Sequence, residues 1–218
     1  NSSAASDVYK RQVLSISPSV IRVLEKHLQP RRGVTLLKRV GKTTLVSMEI
    51  VEHSDSMRQL VNPVHVIIMS DQVIVVSRRS LSLSRIVNRA VNECSKPIHL
   101  LRIVFEEAVN SYLSVLEKLN NKIEQLESKV VLNPDKHHLE EVQILKRRLA
   151  HLRRTSWRLR EVMREFLTFI RDTNEYQHMK ETQDLLLETI DVIELSRERV
   201  SDLLNIYLTS VSVRLSEV

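Results

Sequence analysis

The chain has 218 residues, of which 42% are hydrophobic and 28% charged, with a formal net charge of +6. That balance excludes a disordered polypeptide, and only two glycines in the whole length exclude a turn-rich all-β fold or a glycine-lined phosphate loop. The single cysteine, Cys94, excludes an intrachain disulfide and a cysteine-based zinc cluster.

No run of about 18 apolar residues occurs, so no segment of the sequence reads as a membrane span. Residues 1–12 are polar and lack the apolar core of a signal peptide; they read as disordered or extraneous. Residues 13–96 form the first compositional unit, a small α/β unit. Pro18, with Ser17 as a candidate cap, starts a short helix over 19–27. Short β-rich runs follow at 34–38, 44–51, 64–69 and 72–77, the last two joined by a tight link at Ser70-Asp71. Residues 80–92 read as a helix with Leu81, Leu83, Ile86, Val87, Ala90 and Val91 apolar.

Beyond Pro97 the pattern changes to long helices. Leu101, Phe105, Ala108, Tyr112, Val115, Leu119, Ile123, Leu126 and Val130 keep one apolar stripe over eight turns. Asn133-Pro134-Asp135 is a stop and restart, with Pro134 suited to the first helical position and Asp135 to the positive end of the helix dipole. The next helix runs to about Ile170, with Leu139, Val142, Leu145, Leu149, Leu152, Leu159, Met163, Phe166 and Ile170 inward. Residues 97–176 thus read as a long antiparallel helical pair.

Residues 171–177 form a polar break, and 177–218 read as a stalk helix. Its heptad stripe is Leu186, Ile190, Ile193, Arg197, Val200, Leu204, Tyr207 and Val211. A second stripe holds Leu185, Val192, Leu195, Leu203, Ile206 and Val213, as expected of a helix contacted on more than one side in an oligomer. No glycine, proline or capping sequence ends this helix. The fold class is therefore α+β: an N-terminal α/β unit, long antiparallel helices and a C-terminal stalk.

No nucleophile motif and no Ser, His and acid arrangement is present, and His137-His138 lacks the i, i+4 histidine pair of zinc hydrolases, so no enzyme is expected. Between Lys146 and Arg164 lie eight lysines and arginines against one acid, Glu161. A soluble coiled-coil scaffold binding nucleic acid through this helix is one reading. The charges go around the helix and aromatic interleaving stops at Trp157. Pairing with Glu106, Glu107, Glu117, Glu124 and Glu127 of the preceding helix is the favoured reading, and no nucleic acid is expected.

Three stretches carry a family resemblance. Leu145-Lys146-Arg147-Arg148-Leu149 followed by Leu152-Arg153-Arg154-Thr155-Ser156-Trp157 and Leu159-Arg160-Glu161-Val162 resembles a run in the CorA family of magnesium and divalent-cation transporters, which usually has Pro where Arg158 stands. The run from Asp202 to Ser212 resembles the family's stalk helix, and Tyr112 to Leu119 its preceding helix. The resemblance implies a homopentamer on the cytosolic side of the cell (inner) membrane, with five last helices forming a funnel-like stalk. It also implies two membrane spans and a Gly-Met-Asn signature beyond residue 218.

In the family, divalent ions bound between protomers favour the closed pore. Glu181, one turn before Asp184, matches a family aspartate ligand early in the stalk, and Glu106 matches a second. Ser216 sits where many members have a pore-proximal asparagine. The implied metal is Mg²⁺, with Co²⁺, Ni²⁺ and Zn²⁺ as alternatives and a zinc-transporting member as the second reading within the family. Glutamate and aspartate oxygens are the hard ligands that suit Mg²⁺.

Overall fold

The computed structural model describes residues 35–41, 43–53, 59–69, 73–77, 80–93, 96–132, 134–171 and 173–216. The segment 1–12, the helix at 19–27 with its Ser17 cap, the Ser70-Asp71 link and Cys94 lie outside the described residues. Four strands, β1 (Leu36–Val40), β2 (Thr43–His53), β3 (Gln59–Ile68) and β4 (Val73–Ser77), form an antiparallel sheet in the order β1-β2-β3-β4. Four helices follow: α1 (Ser80–Glu93), α2 (Pro97–Leu132), α3 (Lys136–Phe169) and α4 (Glu175–Ser216). The α+β class expected from the sequence is the one observed.

Alternation builds the sheet. Val46, Met48, Ile50, Val64 and Val66 enter the main core with the helices. Leu45 and Ile67, one residue out of phase, form a second cluster with Leu36, Ile74 and Val76 on the opposite face. The third strand begins five residues earlier than the sequence suggested, and it contains Pro63. In the register β4 pairs only from Val64 onward, so Pro63 has one neighbouring strand, on β2, where a missing donor is tolerated. Gly41, between β1 and β2, takes φ +60°, a conformation that side chains disfavour and that closes this short connection.

Every member of the predicted α2 stripe, from Leu101 to Val130, is buried. Asp135 rather than Pro134 opens α3. It is the N-cap with extended backbone (φ −127°, ψ 151°), and its carboxylate accepts from the His137 N–H at 2.8 Å. That hydrogen bond, helped by the nearby basic groups, holds the Asp135 carboxyl below its ordinary value. Proline therefore stands before the cap, where its ring cannot interfere with the first turn.

Helix α3 runs antiparallel to α2, and α4 returns parallel to α2. Ser196 of α4 donates to Asn120 Oδ1 of α2 at 2.6 Å, and Arg199 reaches Glu127 at 2.9 Å. Seventeen residues of α4 follow Arg199 but only five of α2 follow Glu127, so α4 overshoots α2 by roughly 18 Å at 1.5 Å per residue. Along α4 the buried line is Leu186, Ile190, Ile193, Val200, Leu203 and Tyr207. Leu203 takes the place expected for Leu204, which is only partly buried. A straight helix drifts relative to a strict seven-residue repeat, and the drift moves the seam by one residue.

The sheet is locked to the helices by buried polar contacts. The Tyr112 hydroxyl donates to the Glu49 carbonyl at 2.7 Å, and the Val51 N–H donates to Ser111 Oγ at 3.2 Å. Thr155 Oγ1 of α3 donates to Glu49 Oε2 at 3.1 Å, with Glu49 only 2% exposed. Arg39 of β1 lies 3.8 Å from the centre of the Phe169 ring at the end of α3. Such contacts hold the sheet against the middle of α2 and along the second half of α3.

Candidate metal centre

Glu181 and Asp184 stand on the second and third turns of α4, both exposed. Their present partners come from the same helix. Glu181 is 3.7 Å from His178 Nδ1 and accepts from Gln177 Nε2 at 3.3 Å. Lys180 Nζ donates to Asp184 Oδ1 at 2.7 Å. Three residues apart, the two carboxylates occupy neighbouring positions on one face and can share an ion or its water shell.

Glu181 also heads a line that continues, in alternating steps of four and three residues, through Leu185, Glu188, Val192, Leu195, Arg199, Asp202, Ile206, Thr209 and Val213. The apolar members are exposed, Leu195 to 60% and Val213 to 51%. These are the residues of the second stripe expected from the sequence, except Leu203, which turns into the core. Apart from Arg199, which reaches Glu127, the line is a heptad seam whose members are left exposed by the described residues.

Glu106 lies elsewhere, in a charge cluster where α1, α2 and the start of α4 meet. Its Oε2 accepts from Arg89 of α1 and its Oε1 from Arg102 of its own helix, each at 2.6 Å. Arg89 also holds Glu93 through two contacts of 3.1 Å. Arg102 approaches Glu93 at 3.4 Å and Glu175 at 3.2 Å, and His99 Nε2 is 3.1 Å from the other Glu175 oxygen. The Arg102–Glu175 contact is one of charge, since Arg102 Nε makes no well-directed hydrogen bond.

The cluster's electrostatics follow from this crowding. Hydrogen bonding to Glu93 is the largest influence on Arg89 and, with Glu106, raises its pKa against the cost of burial. Burial works against Arg102 as well, yet Glu106, Glu175 and Glu93 together raise it. The Arg89 hydrogen bond draws Glu93 below the usual carboxylate range. The i, i+4 pairs Arg89/Glu93 and Arg102/Glu106 are visible in the sequence. Their union with Glu175 is tertiary, and no local pattern announces it.

Ser216 is on the last described turn of α4, donating from Oγ to the Ser212 carbonyl at 3.0 Å. Among the described residues no three His, Cys, Asp or Glu side chains of a single chain converge to hold a metal ion. The Glu181–Asp184 pair fits an ion that keeps most of its waters and takes further oxygens from elsewhere. Glu106, with both oxygens engaged by guanidinium groups, fits that role only when Arg89 and Arg102 let go.

Three arginines of the basic run of α3 pair elsewhere than with the α2 acids that the sequence suggested. Arg153 pairs with Glu194 of α4, and Arg160 and Arg164 pair with Glu161 on their own helix. Of the α2 acids, Glu106 and Glu107 go to α1 and Glu127 goes to α4. The reason is geometric: apolar side chains of α2 and α3 fill the core between them. Among the described residues no helix is long and apolar enough to cross a membrane.

The profile of the CorA-like Mg²⁺ transporter protein family matches residues 12–218. The chain belongs to that family. It is similar to the cobalt/magnesium transport protein CorA of Thermotoga maritima, with 32% identity over 134 residues, covering 60% of this chain and 38% of that protein. The chain thus matches well under half the length of that curated relative. Among solved structures, the soluble domain of CorA from Methanocaldococcus jannaschii superposes with a TM-score of 0.75 at 17% identity, covering 94% of this chain and 84% of that one. The complete CorA magnesium transporter from Methanocaldococcus jannaschii gives 0.79 at 16%, covering 97% and 68%. At such identities the structural likeness establishes the fold, the one in which CorA soluble domains are built.

Proposed function

We propose that the chain is the cytosol-facing regulatory part of a divalent-cation transporter, carrying Mg²⁺ or Co²⁺ as cargo, and that it acts by ion-dependent assembly rather than by catalysis. Residues 177–218 serve as the stalk of a homopentamer in the inner membrane protein, with Ser216 toward the pore. The observation that carries the reading is the heptad seam of α4 whose apolar members are exposed, headed by the Glu181 carboxylate and flanked by Asp184. A second copy of the same helix covers its apolar members and brings further carboxylates to the same level.

The mechanism is electrostatic. Crowded carboxylates at a boundary between chains repel one another, and a hydrated divalent ion between them replaces that repulsion with attraction. When the ion is plentiful the stalks are held together and the pore is closed. When it is scarce, repulsion loosens them. Glu181 and Asp184 are the ligands, and Glu106 contributes only after release by Arg89 and Arg102.

Calorimetric titration of metal-stripped protein with Mg²⁺ and Co²⁺, with chelator controls, tests the assignment. Saturable binding is expected, lost in Glu181→Ala and Asp184→Ala and retained in Glu106→Ala. Binding unaltered by the first two substitutions, or absent from the parent chain, overturns it.

A further inference from the structure

Where α3 ends and α4 begins, the two helices enclose a cleft of about 300 Å³. Among the described residues its cations are Arg164, Arg171 and Lys180, and none of its lining side chains is a carboxylate. Leu167 and the Tyr176 ring form an apolar wall, with Thr168 and Gln183 completing the lining. Small-molecule sites run from roughly 300 to 1,000 Å³ and combine apolar walls with a few convergent polar groups. This cleft meets that description at the small end.

The three cations are available. Arg171 forms no ion pair among the described residues. Arg164 pairs with Glu161 at 2.5 Å and Lys180 with Asp184 at 2.7 Å, but both pairs are largely exposed, and exposed pairs contribute little. Two planar guanidinium forks and one mobile ammonium are the donor set that suits the several oxygens of a phosphoryl group. The Tyr176 side chain offers a ring for the rest of such a ligand and a hydroxyl donor beside it.

We infer that this cleft is a binding site for a small phosphorylated anion, its phosphoryl group between Arg164, Arg171 and Lys180 and its body against Leu167 and Tyr176. The site is distinct from the Glu181–Asp184 pair in charge and in ligand class. It requires no metal ion, so it stands whether or not the divalent-ion reading does.

The test is calorimetric titration of the 218-residue chain in metal-free buffer with pyrophosphate, adenosine monophosphate and malonate. One saturable site per chain is expected, with either phosphoryl probe binding at least tenfold more tightly than malonate. Arg171→Gln, an exposed turn position that does not threaten the fold, weakens it about tenfold, as does Lys180→Gln. The double variant Arg147→Gln/Arg154→Gln, on the outer flank of α3, leaves it unchanged. Absence of saturable binding overturns the inference. So does equal affinity for malonate, or equal weakening by the double variant, since either means diffuse attraction to a basic surface.

Discussion

Arg102, one turn into α2, stands 3.2 Å from Glu175, the residue on which α4 begins. The same guanidinium contacts Glu93 and Glu106, so one side chain, 18% exposed, ties α1, α2 and α4 at a single corner. Removing it leaves three carboxylates close together without their shared cation. Arg102→Gln is expected to cost about 2 kcal/mol, the scale for losing hydrogen bonds to charged groups. Urea unfolding measures the loss, and hydrogen exchange should show the first turns of α4 opening before the rest of the helix.

Acid should act through the same contacts. Arg89 holds Glu93 below the ordinary value of 4.5. Burial pushes Glu194 up, but its hydrogen bonds from Arg153 and Arg197 outweigh that and lower it too. A carboxyl lowered on folding stabilises the fold above its unfolded value, and that contribution disappears as pH falls through the folded value. The urea midpoint should therefore drop as pH falls below about 4.5, and Arg89→Gln should flatten this acid limb. An unchanged limb in the variant contradicts the assignment.

Alkali tests the link between sheet and helices. Burial, with the charge of Glu49 adding to it, raises the Tyr112 hydroxyl well above 10. For a group whose pKa rises on folding, the contribution is complete below the unfolded value and is lost as pH climbs toward the folded one. Stability should decline above pH 10 more steeply than in Tyr112→Phe. At neutral pH that substitution leaves the Glu49 carbonyl without its donor and is expected to cost roughly 1–3 kcal/mol.

Much of this was legible in the sequence because long helices declare themselves by period. The α2 stripe is buried throughout, and the ends of α3 fall within two residues of those expected. Where sequence reading slipped, a longer-range effect decided. Leu203 displaced Leu204 through accumulated helical drift, and Pro63 was absorbed into β3 because β4 starts one residue later in the register. The arginines of α3 were expected against α2, but an apolar seam lies there and Arg153 finds Glu194 on α4 instead. At the candidate centre, Glu181 and Asp184 were legible as neighbours on a helix. The double capture of Glu106 by Arg89 and Arg102 was not, because Arg89 is 17 residues away.

The two faces of α4 should separate stability from assembly. Ile193 is fully buried, and Ile193→Ala is expected to cost about 2–5 kcal/mol. Leu195, two residues on, is 60% exposed, and Leu195→Asp should change the single chain's stability by no more than about 0.5 kcal/mol. Denaturant midpoints for the two variants check the contrast. A large loss in Leu195→Asp would mean that the seam is filled from within the chain.

Sedimentation velocity with Mg²⁺ and with chelator tests the central claim, that divalent ions at Glu181 and Asp184 hold copies of α4 together. The account predicts a mass that rises toward five chains with Mg²⁺ and falls on chelation. In Glu181→Gln/Asp184→Asn the ion dependence should be lost, and in Leu195→Asp assembly itself should be lost. A mass of one chain under both conditions, or an ion-dependent assembly indifferent to the carboxylate substitutions, would contradict it.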